Sequence, residues 1–290
     1  MLFQRLIWAA LAVALAVGSL QSALYQWKAV PLILAAEKFE DQKADPATMA
    51  QAQATAATAL VDSHDHDHGH EHAPAPAHDH AHTHDAADGA ASWAPQDGAE
   101  RTFWTWVANV LHGLSMAVLV LVVMGAAVLK RGAPRHALAL SLGVAFAGWL
   151  SLSLWPSLGL PAEVPGMEAA PLQSRQAWWL LAVARAVGAC ACVAALRAPW
   201  RWLLAAALLA LPFVVGAPEI ADPLAGFGPE ARTTLQHLQQ DFIVTTAWLA
   251  ASLWLSLGLA CGLAFRRWLE PALLALTGNQ SPRPLTSQAG

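Results

Sequence analysis

The chain has 290 residues, of which 56% are hydrophobic and only 12% charged. A soluble domain carries about twice that charged fraction. With a mean hydropathy of +0.41, the composition excludes an ordinary soluble enzyme or a nucleic-acid binder and makes a bilayer the expected solvent. The formal net charge of −4 is small and says little by itself.

A hydrocarbon core about 30 Å thick needs roughly 20 apolar residues per helix. Six runs meet or approach that length: 6–25, 104–129, 136–155, 176–196, 200–216 and 242–265. The first is charge-free and long for a signal peptide, and no clear cleavage motif follows it. The fifth is short and contains Pro212. The expected fold is therefore an all-α integral membrane protein, a six-helix transmembrane bundle with five helices as the alternative. Residues 1–290 then form a single membrane domain, with 268–290 as its tail.

Short cytoplasmic connections are rich in Lys and Arg. With the N-terminus inside, nine basic residues fall on inside segments, including KRGAPR at 130–135, RAPWR at 197–201 and FRR at 265–267. The outside connections 156–175 and 217–240 carry Glu163, Glu168, Glu219, Asp222 and Glu230 against two Arg. Dropping the fifth run breaks this alternation. The expected location is the bacterial inner membrane, with both termini cytoplasmic. Many of the 14 Trp lie near run ends, among them Trp8, Trp27, Trp104, Trp178 and Trp268, as in an interfacial aromatic belt.

Residues 36–101 are a different material, rich in Ala, Asp, His and Pro, with almost no large apolar side chain. Such a segment cannot bury a core and is expected to be disordered, apart from a transient helix over 37–60. Within it, SHDHDHGHEHAPAPAHDHAHTHD holds nine His: His64, His66, His68, His70, His72, His78, His80, His82 and His84. Alternate residues of an extended chain share a face, so neighbouring imidazoles can close on one ion, and the interleaved carboxylates add oxygen ligands. Imidazole suits several divalent metals without selecting one. The expected role is a multi-ion collector on the external, periplasmic side. A solvated, pH-dependent charge patch is the plain alternative.

Polar groups inside spans mark function by default. Asn109, His112, Met116 and Met124 lie near one face of the second run, either as a ladder of metal donors or as interhelical hydrogen bonds and gap filling. His237 and Asp241 stand at i, i+4, as a two-ligand metal site needs. His112, His237 and Asp241 all fall in the outer half and form the expected transmembrane metal site. Arg185 is mid-span and is expected to pin its helix to a carbonyl or carboxylate elsewhere. Gly258 and Gly262 form a GxxxG packing signal. Cys190, Cys192 and Cys261 sit in apolar runs and read as packing residues.

Four stretches carry a family resemblance. They are MLFQRLIWAALAVALAVGSLQSALYQWKAVPLILAAEKFE, the His-rich segment after it, WPSLGLPAEVPGMEAAPLQSRQAWWL at 155–180, and LQHLQQDF at 235–242. Together they resemble the CbtA family of predicted cobalt transporter subunits; the PLILxAExxE and LGLPxExPG patterns are the specific parts. The resemblance implies import of Co2+, with Ni2+ or Zn2+ as alternatives. It also implies an association with cobalamin synthesis and a small one-helix partner of the CbtB type. It places Glu37 and Glu40 at the outer mouth. No tightly bound cofactor and no nucleic-acid partner are expected. The chain has no Walker A sequence and no HExxH, so neither ATP-driven work nor zincin chemistry is expected of it. A membrane-anchored metal buffer or sensor is the competing reading.

Overall fold

A computed structural model describes residues 2–39, 98–132 and 136–278. Among them, α1 spans Leu2–Lys28 and α2 Val30–Glu37. Next come α3, Ala99–Arg131, and α4, Ala137–Ser157, which passes through a π segment at Trp149–Leu154. The order continues with α5, Leu172–Ala195; α6, Arg201–Val215; α7, Pro229–Ala264; a second π segment, Phe265–Leu269; and α8, Glu270–Gly278. No strand occurs among the described residues. Five helices are long and apolar enough to cross a membrane, and α6 is a shorter apolar helix. The His-rich stretch and nearly all of the helix expected over 37–60 lie outside the described residues.

The core sits where α1, α3, α4 and α7 meet. It is built from small and branched side chains such as Ala10, Val13, Ala117, Val120, Leu257 and Cys261. Small residues let helix backbones approach closely where the solvent is itself apolar. Gly18 is one such place: a Cβ there would lie 2.6 Å from Val110 Cα on α3. The GxxxG of α7 is another: Cβ atoms on Gly258 and Gly262 would lie 3.4 Å from Leu142 Cα and 3.1 Å from Leu138 Cα on α4. The fully buried Ser141 Oγ donates to Gly258 O across that contact at 2.7 Å.

Polar side chains tie α1 to its neighbours. Trp106 Nε1 donates to Ser19 Oγ at 3.0 Å, Asn109 Nδ2 to Ser22 Oγ at 3.2 Å, and the buried Gln21 to Ser252 Oγ at 3.1 Å. In hydrocarbon such groups have no water to bond, so they bond across helices. The π segment of α4 does the same: Ser153 Oγ accepts from Trp254 Nε1 at 2.9 Å, and Ser151 lies 3.8 Å from Cys190 Sγ.

The two ends of the bundle differ in charge. At one end, Arg131 donates to Ala194 O at 2.9 Å and Arg201 to Leu196 O at 2.9 Å, and Leu2 packs with the cluster containing Phe265 and Leu269. These contacts gather the basic connections. The opposite end holds α2 and the two acidic connections, 158–171 and 216–228. Trp8, Trp27, Trp104 and Trp268 are exposed on the periphery, as a belt requires. Trp178 departs from that expectation. It is buried and donates to Pro212 O at 3.1 Å, in the last turn of α6, where the same carbonyl also accepts from Gly216 N–H.

Candidate functional site

The acidic end carries a small cap with its own apolar centre. Ala36 of α2, Val164 of the first connection, Leu224 and Phe227 of the second, and Leu235 of α7 are all buried together. Gly166 (φ 85°) and Gly226 (φ 86°) turn the two connections through left-handed backbone. Glu168 N–H donates to Pro223 O at 2.8 Å and joins one connection to the other.

Three ion pairs clamp this cap. Glu37 at the end of α2 meets Arg101 at the start of α3 at 2.7 Å. Glu163 meets Arg175 of α5 at 3.1 Å, and Asp222 meets Arg232 of α7 at 2.6 Å. Arg232 also donates from Nε to Phe227 O at 3.0 Å, so one side chain holds the middle and the C-terminal end of the second connection. The hydrogen bond from Arg232 holds the Asp222 carboxyl below the usual carboxylate range; the Leu224 N–H bond adds to this and desolvation opposes it.

Within the cap lies an open cavity of about 560 Å³. Its lining includes Glu163, Glu168 and Glu219, with Met167 and Gln239. A second cavity of about 390 Å³ shares Leu158, Leu160 and Pro161 with the first. It runs toward the helices between the π segment of α4 and α7, where Ser153, Ser157 and Thr246 line it. Carboxylates suit a hydrated divalent cation, and hydroxyls can replace part of its water.

The residues of the expected transmembrane metal site lie as follows. His112, His237 and Asp241 are all exposed, and no group of three or more His, Cys, Asp or Glu able to hold a metal ion occurs among the described residues. The donor ladder on α3 is split by the packing. Asn109 is engaged with Ser22, Met116 packs against the core, and Met124 is fully buried in it. Glu37 stands at the cap in its ion pair with Arg101, and Glu40 lies outside the described residues. Arg185 is half-buried and makes no hydrogen bond or ion pair among the described residues, so none of them is the carbonyl or carboxylate expected to hold it. In the sequence, Glu168 and Glu219 counted only as acidic charges of the outside connections, and Glu163 also as the acidic position of LGLPxExPG, whose Pro and Gly turn the chain instead of extending a helix.

Among the described residues, a helical bundle with five long apolar helices and a cavity lined in part by carboxylates at one capped end defines a multi-pass membrane protein. A family model described as "Probable cobalt transporter subunit (CbtA)" matches residues 3–266, and the chain belongs to that family. No curated protein and no solved structure matches the chain.

Proposed function

We propose that this chain is the membrane subunit of an inner-membrane uptake system for a divalent transition metal, Co2+ first, and that the capped end faces the periplasm. The family supplies the cargo class. The observation that carries the mechanistic reading is the acid-lined cavity in the cap, set beside both attachment points of the His-rich segment. Residues 39 and 98 flank that segment, and the Glu37–Arg101 pair holds α2 and α3 together next to it. Metal gathered by the His tract enters the cavity lined by Glu163, Glu168 and Glu219 as a hydrated ion, attracted by their charge without a three-carboxylate ligand set, and moves on toward Ser153 and Thr246 between α4 and α7. In this reading α6 is the sixth span, both termini are cytoplasmic, and a one-helix partner completes the carrier. His112, His237 and Asp241 act as outer-half ligands only when a partner or a rearrangement brings them together.

Radiolabelled cobalt uptake by cells tests this directly. Deleting residues 62–88 should lower uptake when metal is scarce and leave it nearly unchanged at saturating metal. The triple variant Glu163→Gln, Glu168→Gln, Glu219→Gln should lower uptake at both levels. His112→Ala with His237→Ala should have an effect only if those residues join a site in the assembled carrier. If the purified chain binds several metal ions while cells expressing it accumulate none above background, the buffer reading takes its place.

A further inference from the structure

Arg185 is the one charged residue far from the ends of the spans read in the sequence. It lies near the midpoint of α5, Leu172–Ala195, about 15–20 Å of helix from either end at 1.5 Å per residue. That depth is beyond an arginine's reach to the headgroups by snorkelling. A guanidinium there needs a partner, because hydrocarbon offers neither water nor counter-charge.

The described residues supply none. Arg185 has no hydrogen bond or ion pair among the described residues, whereas Arg101, Arg175 and Arg232 each meet a carboxylate, and Arg131 and Arg201 meet carbonyls. Its side chain is half-buried, so part of it faces out of the helix packing. Ala184, beside it on α5, is exposed, whereas Gly188, one turn on, faces Leu208 of α6. No Asp or Glu occurs in the interior of any span; Asp241 precedes the last apolar run and Glu270 follows it. A second copy of this chain therefore has no carboxylate to offer at that depth.

We propose that Arg185 is a docking contact for a mid-membrane carboxylate carried by a transmembrane helix of a different polypeptide. The inference rests on the reading that the chain is one subunit of a larger membrane carrier. It assigns the chemistry of the contact: a single Asp or Glu near the centre of the partner's apolar run, facing α5 of this chain. The pair is a register device, since a desolvated charge pair fixes depth and rotation more sharply than apolar packing does.

The full chain in lipid nanodiscs is titrated with labelled leucine-rich transmembrane peptides bearing a central Glu, Gln or Leu, and binding is read by energy transfer. The wild-type chain should bind the Glu peptide about tenfold more tightly than the Leu peptide. Arg185→Gln should lose that preference, and Arg185→Glu should instead prefer a peptide with a central Lys. Circular dichroism and thermal melting verify that each variant is folded. The proposal is overturned if the wild type shows no preference for Glu over Leu, or if Arg185→Gln keeps it. It is also overturned if the preference appears in neutral lipid and vanishes in anionic lipid, which would make an anionic headgroup the true partner. Cobalt movement is not read here, so a negative result removes the partner contact and leaves the transport reading standing.

Discussion

Gly18 shows how much one missing carbon sets in this bundle. A Cβ there meets the Val110 backbone, which cannot swing aside as a side chain can. Gly18→Ala should therefore push α1 from α3 and destabilise the protein by about 1–3 kcal/mol, seen as a lower melting temperature in detergent. Gly125→Ala, on the same α3 but with open space around it, should be neutral or slightly stabilising. Asp222 gives a pH-dependent counterpart. Its folded-state pKa is lowered, so the carboxylate contributes stability above its unfolded pKa, and that contribution is lost as pH falls through the folded value. Its NMR titration should have a midpoint below the ordinary carboxylate range. Asp222→Asn should loosen residues 217–228 at neutral pH, measured by hydrogen exchange. A wild-type-like exchange pattern would show that Arg232 holds the connection through Phe227 alone.

At the scale of elements, the helix ends carry more of the specificity than the helix middles. The Glu37–Arg101 pair joins α2 to α3 across the His-rich segment, which separates them in sequence. Glu37→Arg should lower uptake at scarce metal, when the collector must deliver to the cap, and the double exchange Glu37→Arg, Arg101→Glu should restore part of it. If the single and double variants behave alike, the pair does not position the segment. The α4–α7 contact was legible in advance because GxxxG names its own packing face, and Gly258 and Gly262 do meet α4. The π segment of α4 was not legible. WLSLSL reads as ordinary apolar helix, and its widened turn shows only where Ser153 finds Trp254 and Ser151 approaches Cys190. Single-turn π segments inside helices recur at functional sites, and this one lines the inner cavity.

For the whole molecule, charge polarity is the organising property. Acidic groups and their ion pairs collect at the capped end, and the basic connections collect at the other. With α6 as a full span, a reporter fused at residue 198 should be cytoplasmic and one at residue 219 periplasmic. Both on one side would reduce the bundle to five spans. The apolar runs, the alternation of basic connections and the GxxxG contact were readable from residue order, because each depends on hydrophobicity or spacing within one segment. The cap cavity was not, since Glu163 and Glu219 come from connections separated by α5 and α6 and meet only through folding. The fate of the polar residues within spans was equally hidden. Asn109 had donors and acceptors to offer, and whether it faced a metal or Ser22 depended on which face of α3 lay against α1.

The sequence by itself determined a membrane-embedded helical chain with one His-rich segment and a family assignment, because burial in lipid and low-complexity composition are local properties of the chain. Only the tertiary structure decided which ionisable groups are partnered. It paired Glu37, Glu163 and Asp222 with arginines, left His112 and His237 on the surface, and left Arg185 without a partner among the described residues. The physical reason is that a charge takes its meaning from neighbours within a few ångströms. In a bundle those neighbours come from helices far apart in sequence, and for Arg185 we place the neighbour on another chain.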